Sequence, residues 1–171
     1  MELRMNTGIE PLPHRNYVAL AILATAPVIL AAALGTFATM PNISGWYSTL
    51  VKPSFSPPNW LFAPVWTALY VSMAYAFFRI LHLDISLPGR TAAIIVFVAQ
   101  LTLNATWSFA FFAAQSPFVG LLVIIPLESL IIASIILFAQ IDRVAAICLW
   151  PYAAWVGFAT LLNAWIWLLN P

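Results

Sequence analysis

The sequence predicts an all-α integral membrane protein folded as a five-transmembrane-helix bundle, and its charge content is the first reason. Of 171 residues, 64% are hydrophobic and only 6% are charged, whereas about 25% of the residues in soluble domains are charged. The charged residues also leave uncharged runs at 16–51, 53–78, 91–127 and 144–171. A helix that spans a membrane needs about 20 residues, and each run is longer than that. No segment shows the alternation of polar and apolar residues that is typical of transmembrane β-strands.

The same composition excludes several functional classes. The net charge is +1 without a basic cluster, so there is no electrostatic basis for binding nucleic acid. Cys148, His14 and His82 are too few donors for a Cys/His metal site, and we interpret Cys148 as a packing residue. The sequence has no glycine-rich phosphate loop and no hydrolase motif. We therefore expect no cofactor that the protein itself requires.

Residues 1–16 are predicted to form a polar, disordered N-terminal tail, and residues 17–171 a single transmembrane domain. The first apolar segment is longer than the roughly 7–15 residues of a signal-peptide core, so we expect an uncleaved helix. Gln115-Ser116-Pro117 divides the longest run into two spans. Pro27 predicts a kink in the first span. The predicted spans are about 17–39, 60–81, 91–113, 118–140 and 145–169.

The connection between the first two spans, residues 40–59, combines prolines with aromatic side chains. Its prolines prevent a continuous helix, and they are Pro41, Pro53, Pro57 and Pro58. The aromatic residues, among them Trp46, Tyr47 and Phe55, are too many for a solvated loop. We expect this loop to fold back onto the helix bundle at the membrane interface.

The basic residues predict the orientation in the membrane. The side that holds the N-terminus collects Arg4, Arg15, Arg79, Arg90 and Arg143. Lys52 is alone on the opposite side. Because cytoplasmic loops carry the excess of Lys and Arg, we expect a cytoplasmic N-terminus. The sequence shows no organelle presequence, and we expect a multi-pass protein of a bacterial cell membrane.

Three spans carry aromatic and polar side chains on one helical face. Spacings of three or four residues place each set on one side of its helix. Ordinary helix packing would explain one such stripe, but a mid-depth tryptophan in all three favours a shared aromatic cavity for a flat, apolar ligand. The stripes are Phe62, Trp66 and Tyr70; Gln100, Asn104, Trp107 and Phe111; and Trp155, Ala159 and Leu162.

Glu128 is the one acidic residue well inside a predicted span. A central carboxylate costs about 2.5–3.5 kcal/mol on insertion scales, so it should face a cavity or a partner. Two interpretations remain open. Glu128 contacts a ligand or a proton-coupled element, or it is a protonated structural residue bonded to Asn104 or a helix carbonyl.

Small residues recur every fourth position on another face of the third span, at Thr102, Thr106, Ala110 and Ala114. Such residues let helices approach closely. The stripe is equally compatible with packing inside one chain and with a dimer interface formed by Thr106, Ala110 and Ala114.

One long motif resembles the signature of the TspO/translocator-protein family, also called peripheral-type benzodiazepine receptors. It comprises Trp46-Tyr47, Lys52-Pro53, Pro57-Pro58, Trp66-Thr67 and Leu69-Tyr70. The segments from Gln100 to Trp107 and from Pro151 to Asn163 resemble the third and fifth helices of that family. The resemblance covers roughly residues 20–170.

The resemblance implies a five-helix bundle, usually dimeric, with a pocket beneath the first loop. It implies tetrapyrrole ligands such as protoporphyrin IX and haem, together with sterols and benzodiazepine-type compounds. Glu128 matches an acidic pocket position of some relatives, and the third helix contributes to some family dimers. By position, the implied pocket residues are Trp46, Tyr47, Pro57, Trp66, Tyr70, Asn104, Trp107, Trp155, Ala159 and Leu162.

The fifth span departs from the animal relatives. Their sterol-recognition pattern has a Tyr after the Leu-Asn pair and a basic residue beyond it, whereas this chain has Ala164 and no Lys or Arg after Arg143. We therefore do not expect high-affinity sterol binding at that site.

The resulting functional prediction is a membrane receptor, sensor or transporter for tetrapyrroles. The lipid bilayer and a second copy of the chain are the expected partners. Light-dependent porphyrin breakdown, with Trp66 or Trp155 as a radical or stacking partner, is the enzymatic alternative. A regulatory scaffold controlled by its ligand is the third.

Overall fold

A computed structural model describes residues 16–171, and within this range the chain is helical without a strand. The predicted fold class is confirmed, since five helices are long and apolar enough to cross a membrane. The predicted tail, with Arg4 and Arg15, lies outside the described residues except for Asn16. The elements are α1 (Tyr17–Ile43), α2 (Trp46–Thr49), α3 (Asn59–His82), α4 (Arg90–Ser108), a π-helical segment (Phe109–Ala113), α5 (Pro117–Ile141) and α6 (Arg143–Leu169).

The five long helices form a closed ring. Helix α1 packs between α3 and α4, α3 packs on α6, α6 on α5, and α5 on α4. The α5–α6 contact is the most extensive, and it joins helices that are consecutive in the chain through a one-residue turn at Asp142. This ring leaves α3, α4 and α6, which carry the three stripes, close to a common interior.

Side chains cap the first turns of α1 and α5. Asn16 and Ser116 accept hydrogen bonds from the amides of Ala19 and Val119, at 3.1 and 3.3 Å. These bonds satisfy N–H groups that the first turn of a helix leaves free. The guanidinium of Arg90 donates to the carbonyls of Ile80 and Leu81, both at 3.0 Å. The start of α4 is thereby fastened to the end of α3.

Helix α1 continues to Ile43 instead of ending near residue 39. Pro41 lies in its last turn, where the missing N–H removes a single backbone hydrogen bond. The side chain of Asn42 adds a bond to the carbonyl of Ala38 at 3.0 Å. A proline this close to the end of a helix disturbs only the last turn. The helix therefore continues past the predicted boundary at residue 39.

The π-helical segment after α4 is the second local difference from the sequence prediction. The amide of Ala114 donates to the carbonyl of Phe109 at 2.8 Å, a bond across five residues instead of four. One extra residue in a turn rotates everything that follows. The regular four-residue spacing that places Ala110 and Ala114 on the face of Thr102 and Thr106 therefore does not hold through this segment.

Candidate functional site

A cavity of about 380 Å³ lies in the half of the bundle that faces the first loop. Its walls come from α1, α2, α3, α4, the π-helical segment and α6, whereas α5 contributes no lining residue. The volume falls within the roughly 300–1,000 Å³ of small-molecule sites. Its lining is mainly apolar and aromatic, with a few amide and hydroxyl groups.

Nine of the twelve residues predicted to bind a ligand line this cavity, and three do not. The nine come from four separate elements, which the ring of helices brings together. They are Tyr47, Phe62, Trp66, Tyr70, Asn104, Trp107, Trp155, Ala159 and Leu162. Trp46, Pro57 and Glu128 are outside the lining. Ligand binding by any of the twelve residues stays a prediction.

Aromatic rings form the walls in close pairs. Trp66 stacks on Tyr70 with ring centroids 5.4 Å apart, and Trp107 stacks on Phe111 at the same distance. Trp155 meets the edge of Phe62 at 5.7 Å. Such pairs fix the orientation of each ring, so the cavity has rigid walls suited to a flat ligand.

Four polar side chains run from the cavity into the bundle as one hydrogen-bonded chain. The hydroxyl of Tyr70 donates to Asn104 Oδ1 at 3.0 Å, and Asn104 Nδ2 donates to the hydroxyl of Tyr152 at 3.1 Å. That hydroxyl donates to Gln100 Oε1 at 2.9 Å. Asn104, Tyr152 and Gln100 are at most 3% exposed. The chain thus links the cavity to the interior of the bundle.

A second polar contact holds Trp107 in place. Its indole Nε1 donates to Asn163 Oδ1 at 3.1 Å, while Asn163 Nδ2 donates to the carbonyl of Pro117 at 2.7 Å. Asn163 is 1% exposed. Gly120 lies so close that an added Cβ would be 2.7 Å from Asn163 Oδ1 and 2.9 Å from a ring carbon of Phe111. Only a glycine fits at this position of α5.

Helix α1 contributes a wall that the sequence analysis missed. Four of its lining residues are small or polar and two are large and apolar; they are Ala32, Gly35, Thr36 and Thr39, and Met40 and Ile43. A Cβ on Gly35 would lie 3.1 Å from Ser108 Oγ and 3.9 Å from the Tyr70 hydroxyl, so α1 closes over both side chains. Gly35 and its neighbouring threonines lie inside an otherwise apolar span, and this pattern could have indicated that α1 lines the cavity.

The cavity opens sideways between α1 and α3. Thr36 and Met40 of α1, and Ala63 and Thr67 of α3, line the cavity and are exposed. This surface belongs to two membrane-spanning helices. The opening therefore faces the lipid.

The first loop packs over one end of the cavity. Tyr47 is 6% exposed and clusters with Phe111, Leu162 and Ile166. Burial raises the pKa of the Tyr47 phenol, and a hydrogen bond with Ser56 offsets part of that rise. Lys52 Nζ donates to the carbonyl of Tyr47 at 2.7 Å and lies 4.4 Å from the centre of its ring. These contacts keep Tyr47 against the bundle.

The same loop is fastened to the end of α6. The amide of Val51 donates to Asn170 Oδ1, and Asn170 Nδ2 donates back to the carbonyl of Val51, both at 3.0 Å. Asn170 Nδ2 also donates to the carbonyl of Ile166 at 2.7 Å. One side chain thus pairs with both backbone groups of a residue 119 positions away.

Trp46 and Pro57 do not reach the cavity as the resemblance implied. Trp46 meets the edge of Phe111 with centroids 5.5 Å apart, outside the cavity lining. Its neighbour Tyr47 points inward from the same short helix and occupies the place beside the cavity. Pro57 lies half-buried in the segment that leads into α3.

Glu128 also lies away from the cavity, because α5 is the one long helix that does not line it. The residue as a whole is half-buried, and Oε1 lies 3.8 Å from where a Cβ on Gly157 of α6 would be. The hydrogen bond to Asn104 proposed for a structural Glu128 is absent, since the Asn104 amide pairs with Tyr70 and Tyr152. Glu128 Oε2 is buried without a hydrogen-bond partner among the described residues.

The small-residue stripe of the third span is not one continuous surface. Thr106 and Ala114 are exposed, as is Thr102, but Ala110 is only 8% exposed within a single chain. The π-helical segment that contains Ala110 packs against α1 and α5. This burial favours packing of Ala110 inside one chain, and a dimer interface formed by Thr106, Ala110 and Ala114 stays a prediction.

A salt bridge ties the opposite end of the bundle together. Arg79 Nη2 and Nε each lie 2.8 Å from Asp142 Oδ2, and Asp142 Oδ1 accepts from the amides of Val144 and Ala145. Burial opposes ionisation of Asp142, but the bonds from Arg79 and the two amides outweigh it and hold its pKa below the ordinary value. Asp142 therefore connects α3 with the start of α6.

Comparison with known proteins identifies the family. The model described as "TspO/MBR family" matches residues 23–168. Tryptophan-rich protein TspO of Chlorobaculum tepidum is 42% identical, over 80% of this chain and 85% of that protein. The translocator protein of Homo sapiens is 34% identical, over 82% and 86%. The tryptophan-rich sensory protein of Cereibacter sphaeroides is 34% identical, over 69% and 72%. The chain that forms this aromatic cavity is a multi-pass membrane protein of the TspO/MBR family.

Proposed function

We propose that the protein is a membrane receptor or sensor that binds tetrapyrroles, such as protoporphyrin IX or haem, in the cavity beneath the first loop. The supporting observation is the set of rigid aromatic walls, in which Trp66, Trp107 and Trp155 from three helices surround one space. A macrocycle offers a large flat π-surface, and stacking on such walls is the interaction it would make best. Relatives named as sensory and translocator proteins are consistent with this role.

The lateral opening suits a ligand that is larger than the enclosed space. An apolar tetrapyrrole partitions into lipid, and the gap between Thr36 and Met40 of α1 and Ala63 and Thr67 of α3 gives it a route from there. Its propionates would remain near the loop end, where the headgroups are, because a carboxylate is costly at the membrane centre. In this function the tetrapyrrole is the ligand, and the protein requires no cofactor of its own.

The remaining parts of the proposal concern assembly and location. The protein resides in a bacterial cell membrane with its N-terminus in the cytoplasm. It forms a homodimer through the outer face of α4, where Thr106 is exposed, together with Ala114 beyond the π-helical segment. We expect no high-affinity sterol binding at the end of α6, which has Ala164 where the animal pattern has Tyr.

The test is a titration of protoporphyrin IX into the protein in lipid nanodiscs, followed by tryptophan quenching and porphyrin fluorescence. We expect saturable binding at micromolar ligand. Trp155→Leu should weaken it at least about fivefold, because a lost aromatic pair costs about 0.5–1.5 kcal/mol beyond its buried area. Trp150→Leu is the matched control, since Trp150 lies on the same helix, is 56% exposed and does not line the cavity.

Two results would contradict the proposal. One is the absence of saturable quenching in the wild-type protein. The other is an equal loss of affinity in the Trp150→Leu and Trp155→Leu variants, which would place the porphyrin on the lipid-facing surface instead of in the cavity.

A further inference from the structure

The hydrogen-bonded chain behind the cavity has a direction, because both of its tyrosine hydroxyl protons are used within it. Tyr70 gives its only hydroxyl proton to Asn104, Asn104 gives an amide proton to Tyr152, and Tyr152 gives its only proton to Gln100. The chain ends at Gln100 Oε1, an acceptor. With its proton committed to the chain, the oxygen of Tyr70 can only accept a hydrogen bond from anything in the cavity.

We propose that Gln100 and Tyr152, which do not line the cavity, set this direction and thereby make the pocket select flat ligands that carry an N–H or O–H donor. The inference rests on the proposed function, since it concerns the same pocket. Gln100 and Tyr152 act through Asn104 and Tyr70, and they are positioning residues that need not touch the ligand.

The burial of the chain is what makes its direction consequential. Gln100 is 1% exposed, Tyr152 is fully buried and Asn104 is 3% exposed. Water cannot exchange with these groups freely, so a lost proton or acceptor is not replaced at once, and an unpaired buried polar group is costly. Tyr70 lies at the boundary, because it both joins the chain and lines the cavity. Gln100, at the buried end of the chain, therefore influences which hydrogen bonds Tyr70 can form in the cavity.

Neighbouring side chains hold the two central members of the chain, Tyr152 and Asn104, in their orientations. Tyr152 packs its ring against the edge of Trp66 with centroids 6.2 Å apart, which holds its hydroxyl between the two amides. Asn104 uses its oxygen toward α3 and its nitrogen toward α6, so turning the amide over would break both bonds unless Tyr70 and Tyr152 also reversed. Only Gln100 has a free amide nitrogen, with no partner for Nε2 in residues 16–171. Gln100 sets the direction by presenting its oxygen to Tyr152, because presenting the nitrogen instead would reverse every bond of the chain.

Three tricyclic compounds of similar shape test this selection. Carbazole offers an N–H donor, acridine offers a nitrogen acceptor, and anthracene offers neither. Their affinities are measured in lipid nanodiscs that contain the wild-type protein, after subtracting the partition into empty nanodiscs. We expect carbazole to bind about three- to tenfold more tightly than acridine, the range that one net hydrogen bond provides.

Two variants interrupt the chain without changing the cavity lining. Tyr152→Phe keeps the ring against Trp66 and removes the hydroxyl, and Gln100→Met keeps the volume and removes both polar atoms. Each should bring the carbazole-to-acridine affinity ratio close to one, with anthracene affinity within about twofold of the wild type, since anthracene forms no hydrogen bond. Tyr75→Phe is the control, because Tyr75 is on α3 outside the cavity and its hydroxyl bonds to Arg79.

The outcomes separate this inference from the proposed function. If anthracene binds but the wild-type protein shows no preference or prefers acridine, the inference is overturned and the aromatic pocket stands. A ratio that survives in both Tyr152→Phe and Gln100→Met, with anthracene still bound, also overturns it. If anthracene itself fails to bind the wild type, the aromatic pocket is contradicted and the inference is lost with it. Because the wild-type ratio needs no variant, poor folding of either variant leaves the test decisive.

Discussion

Gly120 illustrates, at the scale of a single residue, how tightly the support of the cavity is packed. A methyl group there would lie within 3 Å of both Asn163 and Phe111, and Asn163 holds the indole of Trp107. We expect Gly120→Ala to lower the free energy of unfolding by about 1–3 kcal/mol, as overpacked cores do. Unfolding in mixed micelles, followed by circular dichroism, measures this change.

Gly157→Ala is the matched control for that substitution. A Cβ on Gly157 of α6 would make only an ordinary contact, 3.8 Å from Glu128 Oε1, so this variant should be at least as stable as the wild type, because alanine favours a helix interior over glycine. Equal stabilities of the Gly120→Ala and wild-type proteins would show that Asn163 and Phe111 can move aside, and the rigid support of Trp107 would then be refuted.

Individual residues were predictable where regular helical spacing decides their neighbours. The Phe62, Trp66 and Tyr70 stripe and the Trp155, Ala159 and Leu162 stripe line one cavity, because α3 and α6 are regular at those positions. Glu128 was not predictable in this way. Its charge identified it as exceptional, but the side of α5 that faces the cavity depends on how five helices pack, which no spacing within one helix reveals.

At the scale of elements, the turn between α5 and α6 makes a prediction about pH. The unfolded Asp142 has a pKa of about 3.9, and the folded pKa is lower because Arg79 and two amides stabilise the ionised form. Asp142 therefore stabilises the fold fully above about pH 4, and this contribution is lost as the pH falls further, through the folded pKa. Asp142→Asn should lower the stability at pH 7 by about 1 kcal/mol, with a difference from wild type that shrinks below about pH 4.

Unfolding curves collected between neutral and strongly acidic pH check this prediction. An Arg79→Gln background supplies the control, because without its partner the substitution at Asp142 should cost clearly less. A difference between Asp142→Asn and the wild type that is constant across the pH range would show that the ion pair does not contribute.

Element boundaries were predictable where charges or breaking residues stand between helices, and less so elsewhere. Gln115-Ser116-Pro117 and Asp142 separate helices in the structure as their residue types suggest. Pro41 and the segment Phe109–Ala113 behaved differently, because a proline in a final turn costs little and a π-helical turn has no simple sequence signature. The wall formed by α1 depends on its approach to Ser108 and Tyr70, a tertiary feature.

At the scale of the whole molecule, contacts between distant residues define two ends. Asn170 bonds to Val51, and Gln115 bonds to Asn42, at the end beside the cavity. Arg79 pairs with Asp142, and Tyr17 stacks on His82, at the other end. The five helices thus alternate in direction, so the start of α1 and the end of α6 lie on opposite sides of the membrane.

The distribution of basic residues over these two ends predicts the topology. Arg79, Arg90 and Arg143 belong to the end that also holds the start of α1, whereas Lys52 is the described basic residue at the cavity end. Cytoplasmic segments carry the excess of Lys and Arg. In a bacterial host, we expect alkaline phosphatase fused after Pro171 to be active and green fluorescent protein fused there to be dark. Fusions after Ser86, in the loop at the arginine-rich end, should give the reverse pair. Phosphatase activity after Ser86 together with fluorescence after Pro171 would show the opposite orientation, with the cavity and its loop on the cytoplasmic side.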